Sequence, residues 1–105
     1  MVLRVVGSNP IGYPLNPEKF RVFLFMYYVY ILKSLKDQKY YYGHTADLNS
    51  RLKEHNYGKV KATKGRRPLV IHYSEEFPTK SEAAKREFFF KSIDGYIFLK
   101  RENII

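Results

Sequence analysis

Two short aromatic stretches decide the fold of this chain: Tyr27-Tyr28-Val29-Tyr30-Ile31-Leu32 and Tyr40-Tyr41-Tyr42-Gly43-His44-Thr45. Both consist mainly of aromatic and β-branched residues, a composition typical of half-buried strands. The residues between them, 33–39, are mostly polar and few enough to form a hairpin loop. The sequence therefore predicts two antiparallel strands that present several phenol groups side by side.

The composition indicates one globular domain with a polyanionic partner. The chain has 105 residues, of which 45% are hydrophobic and 17% aromatic, enough for a single packed core. Its net charge is +9, from 19 Lys and Arg against 10 Asp and Glu. Such a charge favours nucleic acid as the partner, ahead of an anionic membrane surface. The alternative is a domain that is basic without binding any polyanion.

The absence of cysteine restricts both the compartment and the metal chemistry. Disulfides and thiolate metal sites are excluded, and a reducing cytoplasm is the location we expect. The histidines have no zinc-like spacing, so a hard cation such as magnesium, held by oxygen ligands, is the better expectation for any metal.

Residues 1–25 differ in composition from the rest of the chain. Glycine and proline interrupt them too often for a long regular element, at Gly7, Pro10, Gly12, Pro14 and Pro17. The apolar run from Val22 to Leu32 is too short to span a bilayer, so no membrane association is expected. Two interpretations stay open. Met26 is the natural start and 1–25 an extension, or the residues around Phe20 to Phe25 add a strand to the domain.

The remaining elements are predicted from periodicity, caps and breakers. Leu48 and Leu52 share a helical face, Thr45 or Asp47 can cap that helix, and Gly58 can end it. Leu69 to Tyr73 reads as a third strand that follows Pro68. The stretch from Lys59 to Pro68 is then a basic loop without any acidic residue.

The C-terminal part reads as two helices. Thr79 and Glu82 have the spacing of a capping box, and the helix they begin is predicted to run to about Ile93 and to stop at Asp94-Gly95. A last short helix over residues 96–103 is predicted to place three apolar side chains on the core, those of Ile97, Phe98 and Ile104. The predicted fold class is α+β, a small three-stranded antiparallel sheet flanked by helices.

Several residues could carry chemistry, and each has a simpler explanation. Tyrosines of the strands usually serve packing. Arg51 suits phosphate binding, but spacing favours an ion pair with Asp47. Glu87 could bind a cation, but spacing favours an ion pair with Lys91. His44 could transfer protons, although a lone histidine is more often an ordinary polar residue.

Two further features could contact nucleic acid. If the faces of the two strands coincide, Gly43 leaves space beside the phenols where a ligand could approach closely. The basic loop could grip phosphates, although charge runs are usually solvated surfaces. Its candidate phosphate-binding residues are Lys61, Lys64, Arg66 and Arg67.

Taken together, these residues resemble the GIY-YIG endonuclease superfamily, in particular its small stand-alone bacterial members. The resemblance covers residues 26–105. The first family motif is similar to Tyr28-Val29-Tyr30 and the second to Tyr41-Tyr42-Gly43. The segments Gly43 to Leu52 and Glu82 to Glu87 resemble the blocks that supply the helical arginine and the metal-binding glutamate. All four blocks occur in the family's order and spacing.

The resemblance implies a role for each matching residue. Tyr30 matches the tyrosine that acts as general base toward the attacking water, and Tyr41 matches the tyrosine that orients the phosphate and the water. His44 would assist proton transfer, Arg51 would hold the scissile phosphate, and Glu87 would bind a single Mg²⁺ or Mn²⁺. Because a free phenol has a pKa of about 10, the resemblance requires that Arg51, His44 or the metal lowers it.

The chain departs from the family pattern at several positions. Tyr28 stands where glycine is usual, Val29 replaces isoleucine, and His55 falls where some relatives carry a further active-site tyrosine. Asn103 is a loose match to the C-terminal asparagine of some members.

The function that the resemblance implies is a metal-dependent endonuclease acting on nucleic acid, with DNA favoured. The alternatives are a non-catalytic nucleic-acid-binding module of the same fold, or a nuclease domain that needs a protein partner for targeting.

Overall fold

The computed structural model describes residues 26–105, in which one sheet lies between helices. In chain order it contains strand β1 (Tyr27–Ser34), strand β2 (Tyr40–Thr45), helix α1 (Leu48–Asn56), a 3-10 helix (Lys61–Arg66), strand β3 (Leu69–Phe77), helix α2 (Lys80–Phe90) and helix α3 (Ile93–Arg101). The predictions made for residues 1–25 lie outside the described residues. None of the helices between residues 26 and 105 has the length and apolar character that crossing a membrane requires.

Strand β1 is the centre of a three-stranded antiparallel sheet with the order β2-β1-β3. In this register Tyr30 lies opposite Gly43 on one side and opposite Ser74 on the other. The predicted hairpin and the predicted α+β fold class are both confirmed. The faces of Tyr30 and Gly43 coincide, as the sequence pattern required for a shared site.

Alternation along β1 gives the sheet two packed faces, because successive strand side chains point to opposite sides. Val29 and Ile31 join the buried core formed with α2 and α3, which also contains Phe77, Ala83, Phe90 and Leu99. Tyr30 and Leu32 belong to the second core with Leu69, against which the partly buried Leu48 and Leu52 of α1 pack. A strand that is buried on both faces explains why residues 27–32 form an apolar run without alternation.

Strand β3 is longer than predicted and ends at Phe77 rather than at Tyr73. The reason is that Glu75 and Glu76, whose charge is typical of residues beyond a strand end, are buried within the strand. Glu75 lies opposite Val29 in the sheet and is 1% exposed. Its carboxylate accepts two hydrogen bonds from Arg86 of α2, at 2.8 and 3.3 Å. A bidentate arginine compensates a buried carboxylate, so the strand continues through it.

Both ends of α1 are as the sequence predicts. Asp47 is the N-cap, and its side chain accepts a hydrogen bond from the Ser50 amide at 3.1 Å. Gly58 adopts a φ of +81°, the left-handed conformation that ends helices and that glycine tolerates best.

The predicted basic loop contains a 3-10 helix, Lys61–Arg66, that is tied to the hairpin. The Ser34 hydroxyl donates to the Arg66 carbonyl at 2.6 Å, and the Leu35 amide donates to the Pro68 carbonyl at 2.9 Å. The stretch from residue 59 to 68 is therefore partly regular and anchored at its C-terminal end, where the sequence predicted an irregular loop.

The boundary between α2 and α3 differs from the prediction. Thr79 does cap α2, accepting from the Glu82 amide at 3.2 Å, but α2 ends at Phe90 and α3 begins at Ile93. Asp94 and Gly95 do not stop a helix; they lie in the first turn of α3, which Ser92 caps. Gly95 is required for a different reason, since a Cβ there would lie 1.8 Å from the Phe89 carbonyl oxygen.

The final helix also places a different set of residues on the core. Phe98 and Ile104 pack against it as predicted, but Ile97 is 52% exposed. Leu99 is the large apolar residue of α3 that is fully buried.

Gly95→Ala is expected to lower the free energy of unfolding by about 1–3 kcal/mol or more, because the new methyl group meets backbone that cannot move independently. Urea denaturation measures this change. Gly65→Ala is the matched control, since a Cβ at Gly65 has no neighbour within 4 Å, and it is expected to change stability by no more than about 0.5 kcal/mol. Equal effects of the two substitutions would contradict the packing assigned to Gly95.

Candidate active site

The candidate site is built around the buried phenol of Tyr30, whose side chain is 1% exposed. Its oxygen lies 3.1 Å from Nε2 of His55 and accepts a hydrogen bond from Nε of Arg51 at 3.4 Å. The ring occupies the space beside Gly43, where a Cβ would lie 2.4 Å from the phenol oxygen. The space that the sequence predicted for a phosphate at Gly43 is therefore filled by Tyr30.

His55 holds the far side of this phenol and is 0% exposed. Its Nδ1 lies 2.7 Å from the Thr63 hydroxyl, and its ring makes an edge contact with Tyr41 at 5.0 Å between centroids. Thr63 in turn donates to the Val60 carbonyl at 3.4 Å. The 3-10 helix is thus connected to Tyr30 through a single imidazole.

The hydrogen bonds around His55 indicate its tautomer. If Thr63 donates to Val60, then Nδ1 of His55 carries the hydrogen and donates to Thr63, and Nε2 is free to accept the Tyr30 hydrogen. In the other tautomer Tyr30 would accept from both His55 and Arg51, and its own hydrogen would lack a partner in residues 26–105. A buried donor without a partner is costly. We therefore assign the hydrogen to Nδ1.

Burial sets the protonation of both groups. It raises the pKa of Tyr30 above 10, and this outweighs the opposing hydrogen bond and charge of Arg51. It lowers the pKa of His55 to about 4, with the charge of Arg51 acting in the same direction. Both groups are neutral at neutral pH. Arg51 therefore acts on the pKa of Tyr30 in the expected direction, but burial outweighs it and the pKa stays above its usual value.

The low pKa of His55 makes stability depend on pH in one defined window. The unfolded imidazole takes up a proton below about pH 6.5, whereas the folded one does so only below about pH 4. Between these values the unfolded state binds more protons, so the free energy of unfolding falls as the pH is lowered, by up to about 3 kcal/mol in total. Chemical denaturation at several pH values measures this loss. His55→Gln, which cannot titrate, is expected to lack this component, and identical pH slopes would contradict it.

A second group of side chains surrounds Glu87 of α2. Nδ1 of His44 lies 2.5 Å from one carboxylate oxygen, and Nζ of Lys91 lies 2.6 Å from the other. Burial acts to raise the pKa of Glu87, but the hydrogen bonds from Lys91 and His44 outweigh it and leave the pKa below its usual value. The Glu87–Lys91 ion pair that spacing favoured is present, and the fold adds His44 to it.

One open cleft of about 430 Å³ connects the two groups. His44 and Arg51 both line it. Arg51 contacts Tyr30 and His44 contacts Glu87, so each group has one member at the cleft. Tyr30, Tyr41 and Glu87 are not lining residues. The complete lining consists of Tyr27, His44, Thr45, Ala46, Arg51, Glu54 and Lys80.

Arg51 is paired differently from the expectation. Its guanidinium binds Glu54 at 2.7 Å, three residues along the helix, while Asp47 serves as the N-cap. Sequence reasoning missed Glu54 and Lys80 as lining residues and Thr63 as the partner of His55. Glu54 could have been found from its spacing to Arg51. The contact of Thr63 has no local signal, because another element delivers it.

The cations of the predicted basic loop fall into two kinds. Arg66 is held within the fold, with its guanidinium donating to Asp37 at 3.0 Å and to the Tyr40 carbonyl at 3.3 Å. Lys61, Lys64 and Arg67 are exposed and do not line the cleft beside Arg51. Their binding to nucleic acid stays a prediction.

Comparison with known proteins identifies the family. The model of the GIY-YIG catalytic domain matches residues 26–94. UPF0213 protein SH2523 of Staphylococcus haemolyticus is 48% identical over 75 residues, which are 70% of this chain and 90% of that protein. UPF0213 protein YazA of Bacillus subtilis is 44% identical over 68 residues, 64% of this chain and 68% of that protein.

A solved structure is also similar. The solution NMR structure of UPF0213 protein BH0048 from Bacillus halodurans is 38% identical and covers 72% of this chain and 83% of that one, with a TM-score of 0.44. On the evidence of the family model and of the relatives from Staphylococcus haemolyticus and Bacillus subtilis, the chain belongs to the GIY-YIG family.

Proposed function

We propose that this protein is a metal-dependent endonuclease that hydrolyses phosphodiester bonds in nucleic acid, with DNA as the favoured substrate. The observation that carries the proposal is the hydrogen-bonded group of Tyr30, Arg51 and His55. Arg51 lines the same cleft as His44, and His44 contacts Glu87. Membership of a nuclease family supports it.

Arg51 is the residue that we assign to the scissile phosphate. Its planar fork of donors matches phosphate oxygens, and it lines the cleft. Its resting partner, Glu54, forms an ion pair near the surface, and such pairs contribute little to stability. A phosphate can therefore replace Glu54 at small cost.

Tyr30 and His55 supply a route for the proton of the attacking water. A phenol with a raised pKa is a weak acceptor that already carries a hydrogen. It can take a proton from water only if its own hydrogen moves on, and Nε2 of His55 lies 3.1 Å away to accept it. Phosphate binding to Arg51 would offset the charge that helps to lower the pKa of His55. Substrate binding would thus make His55 a stronger acceptor, while the same loss of positive charge would raise the pKa of Tyr30, the donor.

Glu87 fits the expected Mg²⁺ or Mn²⁺ as a single carboxylate ligand. Within residues 26–105 no group of three or more His, Asp or Glu side chains could hold a metal. Mg²⁺ usually keeps several waters and binds one or two carboxylates together with substrate phosphates, which agrees with this donor set. Both oxygens of Glu87 are engaged, so binding exchanges the bond to His44 or the bond to Lys91. A bound cation would stabilise the charge on the leaving oxygen.

Tyr30→Phe and Glu87→Ala are each expected to reduce nicking of supercoiled and branched DNA in the presence of Mg²⁺ by about 10²-fold or more, because each removes a group that acts on the reacting atoms. Initial rates of nicking measure this. The matched controls are Tyr57→Phe, at a well exposed tyrosine, and Glu102→Ala, at an exposed carboxylate, and both should nick at the wild-type rate. Nicking that survives both site substitutions would contradict the site assignment.

A second function, a nucleic-acid-binding module without catalysis, is favoured by two observations. The buried Tyr30 does not line the cleft, and both oxygens of Glu87 already have partners. The nicking experiment separates the two functions. Wild-type protein that binds DNA but produces no Mg²⁺-dependent nick would favour the module and overturn the proposed activity.

A further inference from the structure

A second open cleft, of about 490 Å³, lies at the other end of the β1–β2 hairpin. It is formed by the hairpin loop, the end of α1 and the C-terminal half of the basic stretch. We call it the basic cleft, and its lining residues are Lys36, Asn56, Lys64, Gly65, Arg67 and Pro68. The lining carries three positive charges and no carboxylate.

Within the part of the chain that the structure describes, no carboxylate neutralises the three cations of the basic cleft. Nζ of Lys36 donates to the Gly65 carbonyl at 3.2 Å, and Nε of Arg67 donates to the Lys64 carbonyl at 2.8 Å. Asp37, which adjoins Lys36 in the chain, is paired with Arg66. Among residues 26–105 no carboxylate lies within ion-pair distance of these three cations. The cleft therefore attracts an anion.

The backbone holds these charges in place. A Cβ at Gly58 would lie 2.8 Å from Nη1 of Arg67, so the guanidinium lies against the space that this glycine leaves open. The 3-10 helix that carries Lys64 is tied to the hairpin at Arg66 by Ser34. Because these side chains are partly ordered before a ligand binds, the entropic cost of binding is lower than it would be for the same cations on a free loop.

The position of the basic cleft relative to Arg51 suits one extended ligand. Helix α1 contributes Arg51 to the first cleft and Asn56 to the second, so both clefts adjoin the face of the sheet that α1 covers. Strand β1 continues for four residues beyond Tyr30, to Ser34, before the turn that carries Lys36, and this corresponds to about 13 Å along an extended strand. One strand of duplex DNA covers that length in roughly four nucleotides.

We propose that the basic cleft binds a phosphate of the nucleic-acid backbone at a distance from the scissile bond, with Lys36, Lys64 and Arg67 as its ligands. This inference rests on the proposed function for the identity of the polyanion. It separates the cations of the basic stretch by role, because Lys64 and Arg67 contact the ligand while Arg66 anchors the helix. It also adds Lys36, which sequence reasoning did not single out.

The test is the salt dependence of DNA binding, measured by fluorescence anisotropy with a short duplex and EDTA between about 50 and 200 mM KCl. Each phosphate contact contributes about 0.9 to the slope of log K against log salt concentration. Because the cleft holds one phosphate, loss of that contact is expected to reduce the slope by about 1 in the double variant Lys64→Ala/Arg67→Ala. The reduction is expected to be smaller in Lys36→Ala, which leaves two of the three cations. Lys36→Ala also removes the hydrogen bond to the Gly65 carbonyl of the 3-10 helix. Lys36→Gln, which keeps a donor but carries no charge, is therefore measured beside it and is expected to show the same reduction.

The control is Lys85→Ala/Lys100→Ala, which removes the same charge from exposed positions on α2 and α3. Its slope is expected to equal that of the wild type. Equal reductions in the two double variants, or no reduction in the first, would overturn the proposed phosphate site. Because EDTA prevents metal-dependent cleavage, this result does not depend on the nicking assay. Absence of nicking with the slope difference present would overturn only the proposed catalysis.

Discussion

A phenol oxygen buried between a histidine and an arginine is the point at which the elements of this fold meet. Tyr30 comes from the central strand, and Gly43 of the neighbouring strand leaves the space that its ring fills. Helix α1 presents Arg51 and His55 one turn apart, and the 3-10 helix delivers Thr63 to the far nitrogen of His55. Displacing any of these elements leaves a buried polar group without its partner, at a cost of about 1–3 kcal/mol.

The same burial determines the chemistry that the site can perform. It moves the pKa of Tyr30 up and that of His55 down, so both stay neutral at neutral pH. A hydrogen shared between two neutral groups can move when the surrounding charge changes. Arg51 is the nearby charge, and it is also the member of this group that lines the cleft. Occupation of the cleft by an anion is thereby linked to the proton position without a large movement of the backbone.

Much of the fold was predictable because its signals are local. The hairpin, the cap at Asp47, the glycine at the end of α1 and the cap at Thr79 each depend on residues a few positions apart. Errors arose where a distant contact overrides the local pattern. Gly95 has the pattern of a residue that ends a helix, but it is required because the Phe89 carbonyl lies where its Cβ would be. Glu75 has the pattern of a residue that ends a strand, but its carboxylate is buried and hydrogen-bonded to Arg86.

Only part of the site could be predicted from the sequence. Matching the family motif singles out Tyr30, Arg51 and Glu87, and their catalytic roles stay predictions. The fold places Arg51 against the Tyr30 phenol, and it places His44 between Glu87 and the cleft. It does not reveal that Tyr30 fills the space beside Gly43, since that depends on the register of two strands and on a side-chain rotamer. The partner of His55 could not be found either, because Thr63 arrives from a basic stretch in which only the charges attract notice.

Nitrogen-15 NMR of the histidine rings tests the central claim most directly, because it reports the tautomer and the charge of His55. The arrangement predicts a neutral ring with its hydrogen on Nδ1, retained as the pH is lowered until close to pH 4. Tyr30→Phe should shift the Nε2 resonance, because that nitrogen loses its hydrogen bond. A hydrogen on Nε2, or an imidazolium at neutral pH, would contradict the proton path from Tyr30 to His55.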